Sequence, residues 1–205
     1  MIVIIDYGMG NVQSVKNALD FLGYEAVISR KESDIAKADR IIIPGVGAFI
    51  DGMKNIDKFG LRRILTAEVI DKKKPVLGIC LGMQLLGKES DEGGHCEGLG
   101  WIDASVKMLD VKSRELKLPH VGWNNLVIRD RDDLLLKGIP DKTDFYFVHS
   151  FHVIPNDPVL ATSTCDYGVE FVATIRKGNI HAVQFHPEKS QEMGLKILEN
   201  FVENA

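Results

Sequence analysis

The chain has 205 residues, 45% of them hydrophobic, and a formal net charge of −4. That length supports one well-buried core and no linker-like stretch interrupts it, so a single domain over 1–205 is expected. The mild negative charge, with no long run of one sign, gives no electrostatic reason to bind nucleic acid or an anionic membrane surface.

Taken in chain order, Met1-Ile2-Val3-Ile4-Ile5 is cut short by Asp6, too early for a signal-peptide core or a membrane span, and a cytoplasmic protein is expected. Ile2 to Ile5 reads as a central parallel strand covered on both faces. Val12, Val15, Leu19 and Leu22 recur at helical spacing until Gly23 stops the pattern. The loop between them, Asp6-Tyr7-Gly8-Met9-Gly10-Asn11, has the look of a dinucleotide fingerprint, but Gln13 stands where the third glycine belongs and no nucleotide site is assigned. Ala26 to Ser29 and Ile41 to Ile43 read as further strands, and a helical pair follows through about Ile70. Lys72-Lys73-Lys74 reads as a solvated helix end. Beyond the strand at Val76, Glu89 to Gly98 is acidic and glycine-rich, as a surface loop would be. Trp101 to Leu109, Asn124 to Ile128 and Asp144 to Val148 read as shorter strands, and Glu170 to Arg176 with Ile180 to Phe185 as a hairpin. Met193, Ile197, Leu198 and Phe201 share one face of a closing helix. The sum is an α/β fold built on an open, mixed, mainly parallel sheet flanked by helices.

Chemistry is concentrated at Gly78-Ile79-Cys80-Leu81-Gly82. An apolar run passes through a Gly-x-Cys-x-Gly turn straight into a helical segment, the layout that lifts a nucleophile above a sheet edge. Side chains at 78 and 82 would collide with so tight a backbone, and a helix N-terminus favours a thiolate. A lone cysteine in an apolar run is otherwise a small buried hydrophobe. The three cysteines, Cys80, Cys96 and Cys165, include no Cys-x-x-Cys pair and cannot all be bridged, which suits a reducing compartment and a free thiol. A cysteine nucleophile needs a base and a group to orient it. His186-Pro187-Glu188 offers both, read as a histidine and a carboxylate two apart at a strand end with their side chains on one side. Pro44-Gly45-Val46-Gly47 lies at the C-terminal end of a neighbouring strand, where it can aim a backbone N–H at an oxyanion, with the Leu81 amide as second donor. His149 and His152 have a zinc-like spacing but lack a third ligand in register, so neither metal nor cofactor is expected. His120 and Trp123, in Pro119-His120-Val121-Gly122-Trp123-Asn124, form an aromatic and polar cluster in a stretch that reads as a loop and points to an interface.

Together, the motifs around Cys80, Pro44–Gly47 and His186-Pro187-Glu188-Lys189-Ser190 resemble the triad, class I glutamine amidotransferases. With Pro119–Asn124 and Tyr146-Phe147-Val148-His149-Ser150-Phe151, they are similar to the glutaminase subunits of imidazole glycerol phosphate synthase nearly end to end. Val121, where that family usually has methionine, and the Gly93-Gly94-His95-Cys96 region depart from its pattern. The resemblance implies a glutaminase of histidine biosynthesis with Cys80 as nucleophile, His186 as proton shuttle and Glu188 orienting it. It implies a glutamine site at Gln84, His149, Ser150 and Phe151, with Gly45, Val46, Gly47 and Leu81 serving the oxyanion. It also implies a heterodimer with a (β/α)₈ barrel synthase subunit that docks at Asn11, Trp123, Tyr146 and Lys189 and receives the ammonia. A paralogous glutaminase feeding a nucleotide-sugar amidotransferase would share these motifs, and a non-catalytic regulatory subunit would share the fold.

Overall fold

Short aliphatic runs form the centre of the molecule because they are apolar at consecutive positions and have no polar face to present to water. The computed structural model describes residues 1–111 and 116–204. Its first strands are β1 (Ile2–Ile5), β2 (Ala26–Ser29), β3 (Arg40–Gly45) and β4 (Val76–Cys80), with β1 and β4 buried throughout. Alternate residues go to opposite sides: Val3, Ile5, Ile41 and Ile43 join one core cluster, Ile2, Ile4, Ile42, Leu77 and Ile79 the other.

Helices cover both faces. They are α1 (Val12–Phe21), α2 (Glu32–Lys37), α3 (Phe49–Lys58), α4 (Leu61–Thr66) continued by a π-helical turn over Ala67–Asp71, and α5 (Leu81–Leu85). Phe49, Met53 and Ile56 show how α3 buries one stripe at helical spacing. The second half supplies β5 (Glu89–Ser90), β6 (Cys96–Glu97), β7 (Ala104–Met108), β8 (His120–Asn125), β9 (Val127–Ile128), β10 (Asp144–His149), β11 (Phe151–Pro155), β12 (Ala161–Asp166), β13 (Glu170–Lys177), β14 (Ile180–Val183) and the closing α6 (Gln191–Asn204). The main sheet runs β2-β1-β3-β4-β14-β13-β12-β9, parallel from β2 to β14 and antiparallel beyond. Two smaller sheets, β11-β7-β5-β6 and β10-β8, stand beside it. Among the described residues no helix is long and apolar enough to cross a membrane.

Three expectations change. Pro119–Asn124 is not a loop: His120–Asn125 is a strand paired antiparallel with Asp144–His149, His120 opposite His149 and Trp123 opposite Tyr146. Glu89–Gly98 carries the β5-β6 hairpin, and the Glu92 carboxylate accepts the Phe49 N–H at 2.8 Å, capping α3. Lys72-Lys73-Lys74 is not simply solvated. Lys72 and Lys74 reach the buried Glu68 carboxylate at 2.7 and 2.8 Å, and Lys74 also donates to the Ile35 and Ala36 carbonyls. Burial works against a charged Glu68, and the two ammonium groups outweigh it and lower its pKa.

Candidate active site

The turn at Cys80 is built by two glycines and a strained residue. Cys80 has φ 55° and ψ −109°, a conformation that L-residues seldom adopt and that costs on the order of 1–3 kcal/mol. A Cβ on Gly82 would overlap the Ile43 carbonyl oxygen, and one on Gly78 would press on the Gly82 oxygen and Met83 nitrogen at 2.9 Å each. Glycine at both positions is therefore what allows β4, β3 and α5 to meet so closely. The helix that follows has only five residues, so its dipole is weak, and support for a charged sulfur has to come from side chains.

His186 supplies it, though not by strand geometry. It lies beyond β14, capping a 3-10 turn over Pro187–Lys189 that folds Glu188 back onto the ring, so that Nδ1 sits 2.8 Å from Glu188 Oε1 with both side chains buried. The turn is clamped to β10. The His186 N–H donates to the Tyr146 carbonyl at 2.9 Å, while Ser190 Oγ accepts from the Tyr146 N–H at 3.0 Å and donates to the His186 carbonyl at 2.6 Å. With the Nδ1 proton directed at a carboxylate, Nε2 is the free ring nitrogen, and it is buried without a hydrogen-bond partner. Burial disfavours imidazolium here, yet the Cys80 sulfur and Glu188 outweigh it and push the His186 pKa up to about 10. Cys80 and the His186–Glu188 pair, distant in sequence, meet here.

Gly45 lies directly beside Cys80 in the β3-β4 register. It is enclosed, because a Cβ there would strike the buried, unpartnered Tyr7 hydroxyl. The next residues, Val46 and Gly47, emerge from the sheet, and Gly47 has φ 110°. They form one wall of a cleft of about 400 Å³ whose lining also includes Cys80, Leu81, Gln84, His149, Ser150, Phe151 and Lys189. His186 and Glu188 lie behind Cys80, outside that lining. Glu92, Pro119 and Val148 line the cleft as well and were not singled out from the sequence. Gln184 was also missed: it is fully buried, with Nε2 3.7 Å from Cys80 Sγ. Its only sequence signal was adjacency to the His-Pro-Glu turn.

His149 contributes to the wall without a free ring nitrogen. Nδ1 faces the Phe151 carbonyl at 2.9 Å and so must carry the proton; Nε2 then accepts from His120 Nδ1 at 3.1 Å, and His120 Nε2 faces the Asn124 amide at 3.4 Å. Desolvation pushes the pKa of His149 down to about 3 and that of His120 down to about 4, so the pair is neutral. Among the described residues no group of three or more His, Cys, Asp or Glu converges as a metal site.

The alternation of β8 places Val121 and Trp123 outward, 55% and 48% exposed, while His120 points inward. The Trp123 and Tyr146 rings meet edge to face at 6.1 Å and Lys189 Nζ stands 5.7 Å from the Tyr146 ring, so these residues form one exposed patch beside the cleft. Asn11 stands at the N-terminal end of α1 without a side-chain cap, and α1 lies against the His186 turn.

The sequence profile of the family described as Glutamine amidotransferase class-I matches residues 3–205. The imidazole glycerol phosphate synthase subunit HisH 1 of Campylobacter jejuni subsp. jejuni serotype O:23/36 (strain 81-176) is 48% identical, covering 98% of each chain. The imidazole glycerol phosphate synthase subunit HisH of Moorella thermoacetica is 47% identical over 98% of this chain and 94% of its own. Among solved structures, PurLQS from Thermotoga maritima superposes with a TM-score of 0.75 at 18% identity, covering 98% of this chain and 96% of that one, a likeness of fold alone.

Proposed function

Because the chain belongs to the class-I glutamine amidotransferase family and, within it, to the HisH subunits of imidazole glycerol phosphate synthase, we propose that Cys80, His186 and Glu188 are the triad of its glutaminase reaction. The observation that carries this reading is the buried His186–Glu188 pair at 2.8 Å, set behind a thiol that opens into a cleft. With the His186 pKa raised, the Cys80 proton rests on His186 Nε2, and the sulfur attacks the carboxamide carbon of glutamine. The resulting oxyanion is held by backbone N–H groups of the Val46–Gly47 loop and of Leu81. Imidazolium then gives its proton to the departing ammonia, leaving a γ-glutamyl thioester. Water attacks that thioester with His186 as base, and glutamate leaves. Glu188 keeps the imidazole in one tautomer and stabilises its charge. Gln84 and the His149-Ser150-Phe151 backbone form the walls that hold glutamine, His149 through its place in the wall rather than through its ring.

In this reading residues 1–205 act as one amidotransferase domain in the cytoplasm, paired with a (β/α)₈ barrel synthase subunit. That partner turns the ammonia into imidazole glycerol phosphate and an aminoimidazole carboxamide ribotide. The Trp123, Tyr146 and Lys189 patch, with Asn11 near it, is where the barrel docks. Delivery across such a contact has a chemical purpose: ammonia released into neutral water becomes ammonium, which has no lone pair. Cys80→Ala tests the assignment. Glutamine-dependent synthesis should fall by roughly a thousandfold or more, while the same complex supplied with ammonium salt keeps its rate; loss of both activities would refute the division of labour.

A further inference from the structure

Besides His186 and the nearby Tyr7 hydroxyl, which makes no hydrogen bond, two polar groups lie within hydrogen-bonding reach of the Cys80 sulfur. The Val148 carbonyl oxygen lies 3.6 Å from it and Gln184 Nε2 3.7 Å. They favour opposite states. A carbonyl can only accept, so it supports S–H; an amide NH₂ can only donate, so it supports the sulfur anion.

Gln184 has little freedom to do otherwise. It is fully buried just past the end of β14, and its backbone N–H donates to the Ala173 carbonyl at 2.8 Å. The orientation of its amide follows from its neighbours. Gln84 has a nitrogen 2.9 Å from the Phe151 carbonyl, an acceptor, so its NH₂ end must lie there. The second N–H of that group meets Gln184 Oε1 at 3.3 Å. With its oxygen engaged, Gln184 has only its NH₂ left to face the sulfur. A flipped Gln184 would set NH₂ against NH₂ on one side and oxygen against sulfur on the other, two repulsive contacts in a buried place.

We propose that Gln184 holds the Cys80 sulfur as an anion during glutamine hydrolysis by donating an amide N–H to it, and that Gln84 in the cleft wall fixes the end of Gln184 that does so. The inference rests on Cys80 being the nucleophile. Gln184 transfers no proton. It stabilises the charge that remains when the thiol proton passes to His186, and again when water splits the thioester and the sulfur leaves as the anion.

The test compares the unchanged chain with Gln184→Met, which keeps length and loses the donor, and Gln184→Glu, which keeps shape and accepts only while ionised. Cys80 alkylation by iodoacetamide is followed against pH by peptide mass spectrometry, which separates it from Cys96 and Cys165, and glutaminase kcat and KM are measured in the assembled synthase. Gln184→Met should move the alkylation midpoint up by about one pH unit and lower kcat near neutral pH about tenfold with little change in KM. Gln184→Glu should move it further and recover partly on acidification, as the carboxyl gains a proton to donate. Midpoints matching the unchanged chain in both variants would overturn the proposal, since a packing role lowers stability without moving a titration. Gln84→Leu probes the same link from the other end. Its midpoint should rise by less than that of Gln184→Met, and an unmoved midpoint would overturn the part assigned to Gln84. Failure of the underlying assignment looks different: glutaminase activity would survive complete alkylation of Cys80 in the unchanged chain.

Discussion

The two ends of the same parallel strands use buried polar groups in opposite ways. At the N-terminal end Glu68 is matched by Lys72 and Lys74, and Asn179 Nδ2 donates to the Val69 and Lys74 carbonyls at 2.8 and 2.9 Å. At the C-terminal end Cys80 sits at positive φ, while Tyr7 Oη, His186 Nε2 and Glu188 Oε2 are buried with no hydrogen-bond partner. Buried polar atoms left unpaired cost on the order of 1–3 kcal/mol each; His181 Nδ1 and Asp133 Oδ2 are others, but those beside Cys80 stand where a ligand or a transferred proton can engage them. One end stabilises the molecule, and the other draws on that stability to keep reactive groups exposed to chemistry.

Substitutions at either end should separate the two roles. The largest effect is expected at Glu188→Gln, which keeps size and removes charge: glutaminase kcat of the folded protein should fall by roughly a hundred- to ten-thousandfold. A kcat within a factor of about three of the unchanged enzyme would remove Glu188 from the triad. Lys74→Met at the opposite end should do the reverse. Breaking the buried pair costs about 3 kcal/mol in denaturant titration, and glutaminase turnover of the folded protein stays unchanged. A stability loss near zero would mean that the pair is solvated after all.

The smallest effect is in the pH dependence of stability. His149 and His120 have folded pKa values of about 3 and about 4, below the ordinary histidine value of about 6.5. Their contribution is therefore full above pH 6.5 and is lost as pH falls toward 4 and then 3. His186, held up to about 10, works in the other sense, fully contributing below pH 6.5 and fading as pH rises toward 10. The thermal midpoint should drop between pH 6.5 and 4, and His149→Gln, which keeps an N–H for the Phe151 carbonyl, should flatten that slope. An equal slope in the variant would show that other groups control acid unfolding.

The parts of the fold legible from sequence were those whose signal is local. The aliphatic run of β1, the helical spacing of α1 and α6, and the hairpin of β13 and β14 stand where periodicity put them. Pro119–Asn124 misled because proline, glycine and asparagine read as turn residues, whereas pairing with the aromatic β10 makes the segment a strand. The strands Phe151–Pro155 and Ala161–Asp166 were passed over because histidine, threonine and serine interrupt the apolar pattern; the first pairs with β7, far away in sequence, and the second with the neighbouring β13. Cys80, His186 and Glu188, the residues proposed as a triad, drew attention because two tight glycines and a His-Pro-Glu turn are local devices. The geometry joining His186 to Glu188 was not legible, since the 3-10 turn is clamped by Tyr146 from another strand. Gln184 carried no chemical signature of its own, and only the Gln84 and Cys80 side chains around it reveal a purpose.

The placement of Cys80 and His186 has one more consequence. Cys80 is the last residue of β4 and His186 lies just beyond β14, strands that are hydrogen-bonded neighbours in parallel register, Val183 beside Ile79. The rungs of that ladder, about 4.8 Å apart, bring the two segments together, and the clamp of the His186 turn onto Tyr146 fixes the remaining step. Slackening a surface segment away from that clamp leaves Cys80 and His186 side by side. Any throttle on this enzyme has to act on what lies off the ladder: the emergent Val46–Gly47 backbone, or the walls that admit glutamine.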